Sequence, residues 1–446
     1  MVDGITEAVL KLDAWFETMR GPLGYYGPVT HWWESNLLYC GPKMDWRYEG
    51  IIIGYLNLFD CSGDSFWLNR AIRAADDVRN TQLSNGQFLN SSFQQGPIEG
   101  GTPHEAAVDV ALLELAIHMR RLGDERWRDY QRTAWFNLQA YHIDQLWNGI
   151  AFLDQPWNQV MVANKNATIM EALLLQQQLC GNDLERYILA AADLVMSAQV
   201  RDRSKPYFGG VVHMGTDRQQ LVIGIYTARC ASALLRLYEY HPQQQFLDAA
   251  AAMGRYLVTL VTKHGTHFGH YHDGQLITHP TWISPSGDLL RALIQLRCHN
   301  DSFEHAVIEV VNMLVKYQHT TGGIPTSFGL VRKGMTKPID AHLFDFLDIL
   351  PVVGWCDKAF RGLSMIANPK TGFQANPYEH TFPWITNLPC YWKGKLLRYF
   401  EDRSMIQCDS SLSIYFEYKK GHSFCGTDSH LIRRNLNETE TKPSAR

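Results

Sequence analysis

Polar and aromatic side chains recur in this 446-residue chain wherever an Ala/Leu-rich segment begins. The carboxylates at these points are candidates for catalysis: Glu49, Glu105, Asp288, Asp340 and Asp345. The side chains beside them are candidates for substrate binding: Asp45, Trp46, Arg47, His104, Asn164, Asn166, Trp282, His342 and Trp384. Helix capping explains any one of these acids, but it does not require His, Trp and Arg next to the acid. The pattern therefore predicts a functional site where these Ala/Leu-rich segments begin.

Paired carboxylates suit acid–base chemistry, which needs one protonated acid and one ionised acid. A funnel lined with aromatic residues raises the pKa of one acid by excluding water, while an arginine or a helix start lowers the pKa of another. Glu49 lies one helical turn after Asp45, with Arg47 between them. We therefore predict that proton transfer depends on at least one of the five carboxylates.

Tryptophans near these positions leave the substrate class open. We expect Trp46, Trp282 and Trp384 to be exposed, because they lie in or beside loops. Aromatic rings in a cleft stack on sugars, and they equally stabilise a carbocation. The first hypothesis is a carbohydrate-active enzyme, a hydrolase or lyase-like catalyst on a small glycoside or uronide. The second is a cyclase or dehydratase-isomerase of a terpenoid or other specialised metabolite, and the third is a non-catalytic toroid that binds a ligand.

Twelve amphipathic segments position these residues. The predicted inner helices are 45–60, 104–122, 165–180, 217–240, 284–299 and 340–354, and their starts recur about every 58 residues. The predicted outer helices are 5–20, 64–82, 124–143, 182–200, 243–263 and 301–319. Short polar turns join each inner helix to the next outer one, whereas long aromatic loops lead back to the inner helices. Long loops on one rim usually carry function. The pattern predicts an all-α (α/α)6 toroid with its site where the inner helices begin.

Two of the long loops begin alike, with Gln82-x3-Gly86-x-Phe88 and Gln318-x3-Gly322-x-Ile324. This spacing resembles the Q-x3-G-x-W element of terpenoid-cyclase toroids, although the second copy lacks the aromatic residue. A glutamine near the end of an outer helix can bond neighbouring backbone, and the glycine permits the turn. The element therefore favours the toroid more than it favours terpene chemistry.

Over about residues 5–400 the layout resembles the six-hairpin glycosidase-like superfamily, which includes unsaturated glucuronyl hydrolases, sugar epimerases and related lyases. It resembles the linalool dehydratase-isomerase toroid more loosely. The segment 147–166 has none of the cysteines that would match that enzyme's catalytic residues, and the DxDD motif of class II terpene cyclases is absent. The superfamily resemblance implies a sugar-processing enzyme without assigning any residue a role.

Composition narrows the possible partners. The net charge of −4 does not favour nucleic acid or an anionic membrane, and no window of about 18 apolar residues occurs. Nine scattered cysteines and an N-terminal segment without an apolar core predict a cytoplasmic protein. The histidine-rich loop 264–279 lacks a recognised ligand spacing, so we predict no metal, no cofactor and a small-molecule substrate. Oligomeric state does not follow from the sequence.

Domain boundaries follow from the repeat and from the polar end of the chain. We predict one domain over 1–434, a strand within 411–421 and a disordered tail over 435–446.

Overall fold

The fold is described by a computed structural model that covers most of the helical region. The described residues are 2–21, 24–25, 27–29, 38–40, 43–89, 91, 100–213, 220–318, 322–328 and 351–369, with six strands between 390 and 424. Four residues predicted to form the site, Asp340, His342, Asp345 and Trp384, lie outside the described residues. None of the helices described is both long enough and apolar enough to cross a membrane.

Twelve α-helices account for most of the described chain. The inner helices are α2 (Arg47–Ser62), α4 (Glu105–Arg121), α6 (Ala163–Cys180), α8 (Gly224–Tyr240), α10 (Gly287–Arg297) and α12 (Val353–Ser364). The outer helices are α1 (Val2–Thr18), α3 (Ser65–Asn80), α5 (Trp127–Asn137), α7 (Glu185–Ser197), α9 (Gln244–Leu260) and α11 (Glu304–Tyr317). A π-helix, Leu138–Leu146, continues α5.

The helix contacts form a closed ring. Each inner helix packs against the next, from α2 through α4, α6, α8 and α10 to α12, and α12 packs back against α2. Outer helices α3, α5, α7, α9 and α11 each pack on the inner helix before them, and α1 packs on α12. This arrangement confirms the predicted all-α (α/α)6 toroid.

The last inner helix closes the ring through close backbone contacts. A Cβ on Gly287 would overlap the backbone of Lys358, and a Cβ on Gly50 would overlap Asp357. Helix α12 is buried along its whole length. The inner helix that closes the ring begins at Val353, near the end of the predicted range 340–354, and residues 340–350 lie outside the described residues.

Gln82 and Gln318 hydrogen-bond neighbouring backbone, as their positions in the sequence predict. The side-chain nitrogen of Gln82 donates to Gly86 O and to Thr133 O on the next outer helix, both at 2.9 Å. That of Gln318 donates to Gly322 O and to Ala8 O on α1, both at 2.8 Å. Each glutamine therefore fixes a turn and ties two outer helices together.

Short antiparallel strands make up the remaining described structure. Two strands form a hairpin: β1 (Arg20–Gly21) and β2 (Gly24–Tyr25). Before α8 and α10 lie β5 (Val212–His213), β6 (Leu221–Ile223), β7 (Val261–Thr262), β8 (Gly265–Thr266), β9 (Gly269–Tyr271), β10 (Leu276–Ile277) and β11 (Thr281–Trp282). With β12 (Ser327–Phe328) they form two sheets, ordered β10-β9-β6-β5 and β12-β11-β8-β7.

The C-terminal strands form two further sheets. One has the order β13-β14-β15-β16, from Cys390–Trp392, Lys395–Tyr399, Met405–Cys408 and Ser413–Tyr415. The other has the order β17-β18-β4-β3, from Glu417–Lys419, His422–Phe424, Leu38–Cys40 and Gly27–Val29. The strand predicted within 411–421 corresponds to β16 and β17.

Candidate active site

One rim of the ring carries a polar or aromatic side chain from the start of every inner helix. We call this set the mouth. It comprises Trp46, His104, Asn164, Tyr226, Asp288 and Trp355, one residue from each inner helix in chain order. The first five are half-buried, and Trp355 is 8% exposed. The sequence predicts four of the six members, and it misses Tyr226 and Trp355.

Helical spacing places four of the mouth residues toward the ring axis. Trp46, Tyr226 and Asp288 each lie three residues before a charged residue whose side chain reaches across the ring. Residues three apart share a helix face. The charged residues are Glu49, Arg229 and Arg291, respectively. Asn164 stands two turns before the axial Glu171 in the same way.

Aromatic contacts join part of the mouth. The ring centroids of Trp46 and His104 are 4.9 Å apart, and those of Trp46 and Trp355 are 6.4 Å apart. Trp46 Nε1 also donates to Gly354 O at 2.9 Å. Trp282 lies behind this layer, with its centroid 5.6 Å from that of Trp355. It is 1% exposed. The expectation that Trp282 is exposed was therefore wrong.

Buried charges fill the axis beneath the mouth. Glu49 pairs with Arg229, and its Oε1 lies 2.8 Å from Arg361 Nη1 and 3.9 Å from Arg291 Nη1. Burial alone would raise the pKa of Glu49, but Arg229, Arg361, Lys358 and Arg291 outweigh it and lower this pKa to about 2. Glu49 is therefore ionised, and it cannot serve as a proton donor at neutral pH.

The charges continue along the axis to the other rim. Glu171 pairs with Arg291, and its Oε2 lies 3.0 Å from Arg229 Nη2. Its Oε1 lies 3.1 Å from Arg236 Nε, and Arg236 also pairs with Glu114. Burial opposes ionisation of Glu171, yet the three arginines hold its pKa well below the usual range. The axis is thus filled by alternating charges.

Asp288 is the described axial carboxylate that reaches the mouth. Its side chain is 13% exposed, and its Oδ1 accepts from Arg361 Nη2 at 2.6 Å. One turn before Arg361, Lys358 Nζ donates to Asp357 Oδ2 at 2.8 Å and to Trp46 O at 3.2 Å. Burial raises the pKa of Asp357 to about 7, although Lys358 and Arg361 oppose the shift. The floor of the mouth therefore combines an accessible carboxylate with buried cations.

Glu105 does not reach the mouth. Its Oε1 accepts from Gly101 N at 2.8 Å, from Phe88 N at 2.9 Å and from Ser91 Oγ. Its Oε2 accepts from Asn137 Nδ2 at 2.6 Å. These bonds anchor the loop before α4 to the outer helix, so Glu105 has a structural position rather than the catalytic one predicted.

Three residues predicted to bind substrate, Asp45, Arg47 and Asn166, form hydrogen bonds with neighbouring protein groups. Asp45 accepts from Arg47 Nε at 2.7 Å and from Arg47 N at 3.2 Å, and both side chains are fully buried. Asn166 bonds the backbone N and O of Phe152, both at 2.8 Å. These contacts fix the starts of α2 and α6.

Sequence reasoning missed most of the axial charges. These are Glu171, Arg229, Arg291, Asp357, Lys358 and Arg361. A signal was present for Glu171, which stands inside the apolar stretch ATIMEALLL. A charge within a segment that is apolar on every side must be buried and paired. Among the residues described, no three His, Cys, Asp or Glu side chains converge as metal ligands would.

Comparison with known proteins gives a consistent fold. No protein-family model and no curated protein matches the sequence. Among solved structures, D-mannose isomerase is similar at 13% identity and a TM-score of 0.58, covering 81% of this chain and 97% of that one. Unsaturated glucuronyl hydrolase from Bacillus sp. GL1 is similar at 15% identity and a TM-score of 0.57, and the match covers 81% of this chain and 96% of that one. Cellobiose 2-epimerase from Bacillus thermoamylovorans B4167 is similar at 11% identity and a TM-score of 0.59, and the match covers 82% of this chain and 99% of that one.

At these identities the likeness establishes the fold. The chain shares the (α/α)6 toroid fold of these solved structures, as the helix spacing and loop lengths predict.

Proposed function

We propose that this chain is a carbohydrate-active enzyme that performs acid–base chemistry on a small saccharide bound in the mouth. The observation that carries the proposal is the ring of six first-turn side chains above a charged axis. Sugar recognition needs aromatic faces and many hydrogen-bonding groups together. The mouth combines two tryptophans with His104, Asn164, Tyr226 and Asp288. The similar solved structures, which are a sugar isomerase, a sugar epimerase and an unsaturated glucuronyl hydrolase, support the same substrate class.

Asp288 is the residue to which we assign proton transfer. It is accessible at the mouth, whereas Glu49 and Glu171 are sealed among arginines. Ionised Glu49 would instead keep the axial arginines in place beneath the substrate. Of the carboxylates predicted to be catalytic, Asp288 is therefore the one among the described residues that can reach a substrate. His104, which stands beside Trp46, is the nearest candidate for a second proton-transfer group.

Terpenoid chemistry remains the second candidate, because Trp46, Trp355 and Trp282 form one continuous aromatic cluster. Stacked indoles stabilise carbocations through their ring quadrupoles. Yet four of the six mouth residues are polar or phenolic, and a hydrocarbon substrate would cover those groups without hydrogen bonding to them. The composition of the mouth therefore favours a polyhydroxylated ligand.

A single assay separates these possibilities. The purified protein would be incubated in D₂O with reducing hexoses, cellobiose, unsaturated uronides, aryl glycosides and a terpenoid alcohol, and followed by proton NMR. Hydrolysis releases a free sugar, whereas isomerisation or epimerisation exchanges a carbon-bound proton for deuterium. We expect one sugar class to react, with the reaction lost in Asp288→Asn. Conversion of the terpenoid alone would overturn the proposal. Binding of a sugar without conversion would instead make the chain a binding protein.

A further inference from the structure

A cavity lies on the outer surface, between α5 with its π-helical continuation and the start of α7. Its volume is about 400 Å³. None of its lining residues belongs to the mouth. A cavity of this size is within the range of small-molecule sites. We call it the outer groove.

One wall of the outer groove comes from three side chains spaced four residues apart, Trp135, Gln139 and Ile143. Trp135 is in α5, and the other two are in the π-helix. In an α-helix, residues at this spacing drift steadily around the axis. The wider turns of a π-helix reverse that drift, so the three side chains stay on one face. π-Helical turns are rare and often occur at functional sites.

The facing wall comes from the α6–α7 turn and the first turn of α7. It contributes Asn182, Asp183 and Arg186. Asn182 Oδ1 accepts from Gln176 Nε2 at 2.8 Å, so its amide nitrogen remains as a donor. The Arg186 guanidinium lies 4.4 Å from the centroid of the Tyr187 ring, which holds it in place.

We propose that the outer groove is a second, non-catalytic binding site for a neutral saccharide of one or two rings. Trp135 offers an indole beside Gln139, Asn182, Asp183 and Arg186, and together these supply hydrogen-bond donors and acceptors around an aromatic surface. The carboxylate of Asp183 and the guanidinium of Arg186 balance in charge, which favours a neutral sugar over a uronate. An apolar ligand would leave four polar side chains desolvated. The proposal does not depend on catalysis at the mouth.

The test is a titration with neutral mono- and disaccharides, followed by calorimetry and by saturation-transfer NMR. The wild-type chain is compared with Trp46→Ala at the mouth and with an Asp183→Ala/Arg186→Ala double variant, whose residues are exposed. We expect Trp46→Ala to retain groove binding and the double variant to weaken it at least tenfold. Trp135→Phe should weaken it less, because an aromatic face remains.

Three outcomes would overturn the proposal: no neutral sugar binding at millimolar concentration, binding unchanged in the double variant, or all binding lost in Trp46→Ala. Catalysis is scored separately, with Asp288→Asn as the inactive reference. Binding that depends on Asp183 and Arg186 without turnover would refute only the proposed function. Turnover without such binding would refute only the outer groove.

Discussion

Arg361 Nη2 donates a 2.6 Å hydrogen bond to Asp288 Oδ1, and this bond joins the carboxylate at the mouth to the buried charges of the axis. The other terminal nitrogen of Arg361 lies 2.8 Å from Glu49. One guanidinium thus bridges two acids that differ in access: the Asp288 side chain is 13% exposed and that of Glu49 is 2% exposed. Replacing Asp288 should therefore change the catalytic rate, whereas replacing Glu49 should change the stability of the fold.

Asp288→Asn should lower kcat/KM by about 10²–10⁴ once a substrate is known, because the amide cannot exchange a proton. Volume is conserved and Glu49 still pairs with Arg361, so the melting temperature should change little. Both quantities would be measured beside Asp193→Asn, an exposed position on the outer helix α7. Wild-type turnover in Asp288→Asn would remove this residue from the mechanism.

Glu49→Gln should destabilise the fold by about 3–5 kcal/mol, because it removes one of the buried anions that neutralise the axial arginines. Urea denaturation would measure the loss. The matched control is Glu304→Gln, which breaks an exposed 2.9 Å pair with Arg297 and should cost no more than about 1 kcal/mol. Equal small effects in both variants would mean that the axial charges do not stabilise the ring.

Trp46→Ala and Trp282→Ala should separate binding from folding. Trp282 is buried against Phe268 and Trp355, so its removal should cost about 3–5 kcal/mol. Trp46 is half-buried at the mouth, so its removal should raise the Kd for the mouth ligand with a smaller loss of stability. Thermal melting and ligand titration on both variants give the comparison. A larger stability loss in Trp46→Ala would reverse the assignment.

The toroid could be predicted from the sequence because helix period and link length are local properties. Which way a side chain faces across the ring was harder to predict. Glu105 and Glu114 are both acids of α4, but they are nine residues apart, which is two and a half helical turns. Glu114 therefore reaches Arg236 at the axis, while Glu105 bonds Asn137 on the outer helix. A carboxylate at a helix start is thus weak evidence for a site.

Ring closure gives a prediction about backbone contact. Gly287→Ala should destabilise the fold by about 1–3 kcal/mol, because the new methyl group overlaps the Lys358 backbone. Gly4→Ala is the control, since Gly4 is an exposed residue of α1 with no atom near its Cβ position. It should stabilise the helix by up to about 1 kcal/mol. If both variants melt alike, α10 and α12 are less closely packed than described.

Asp109 leads to a prediction about pH. It is completely buried on α4, and neither carboxylate oxygen has a hydrogen-bond partner among the described residues. Burial, and then the nearby Glu105, raise the pKa of Asp109 well above the usual value. The folded state therefore favours the neutral acid. Its contribution to stability is complete below the unfolded pKa, near 3.8, and is lost as pH rises through the folded pKa.

Asp109→Asn removes this titration, so the melting temperature of the variant relative to wild type should increase steadily from pH 5 to pH 8. The difference in melting temperature at a single pH does not test the prediction, because a buried amide without hydrogen-bond partners is itself destabilising. Other buried acids, including Glu49 with the opposite sign, are present in both proteins and cancel in the difference. Asp193→Asn, at an exposed site, should show no such slope. A pH-independent difference for Asp109→Asn would mean that this acid is not protonated in the folded chain.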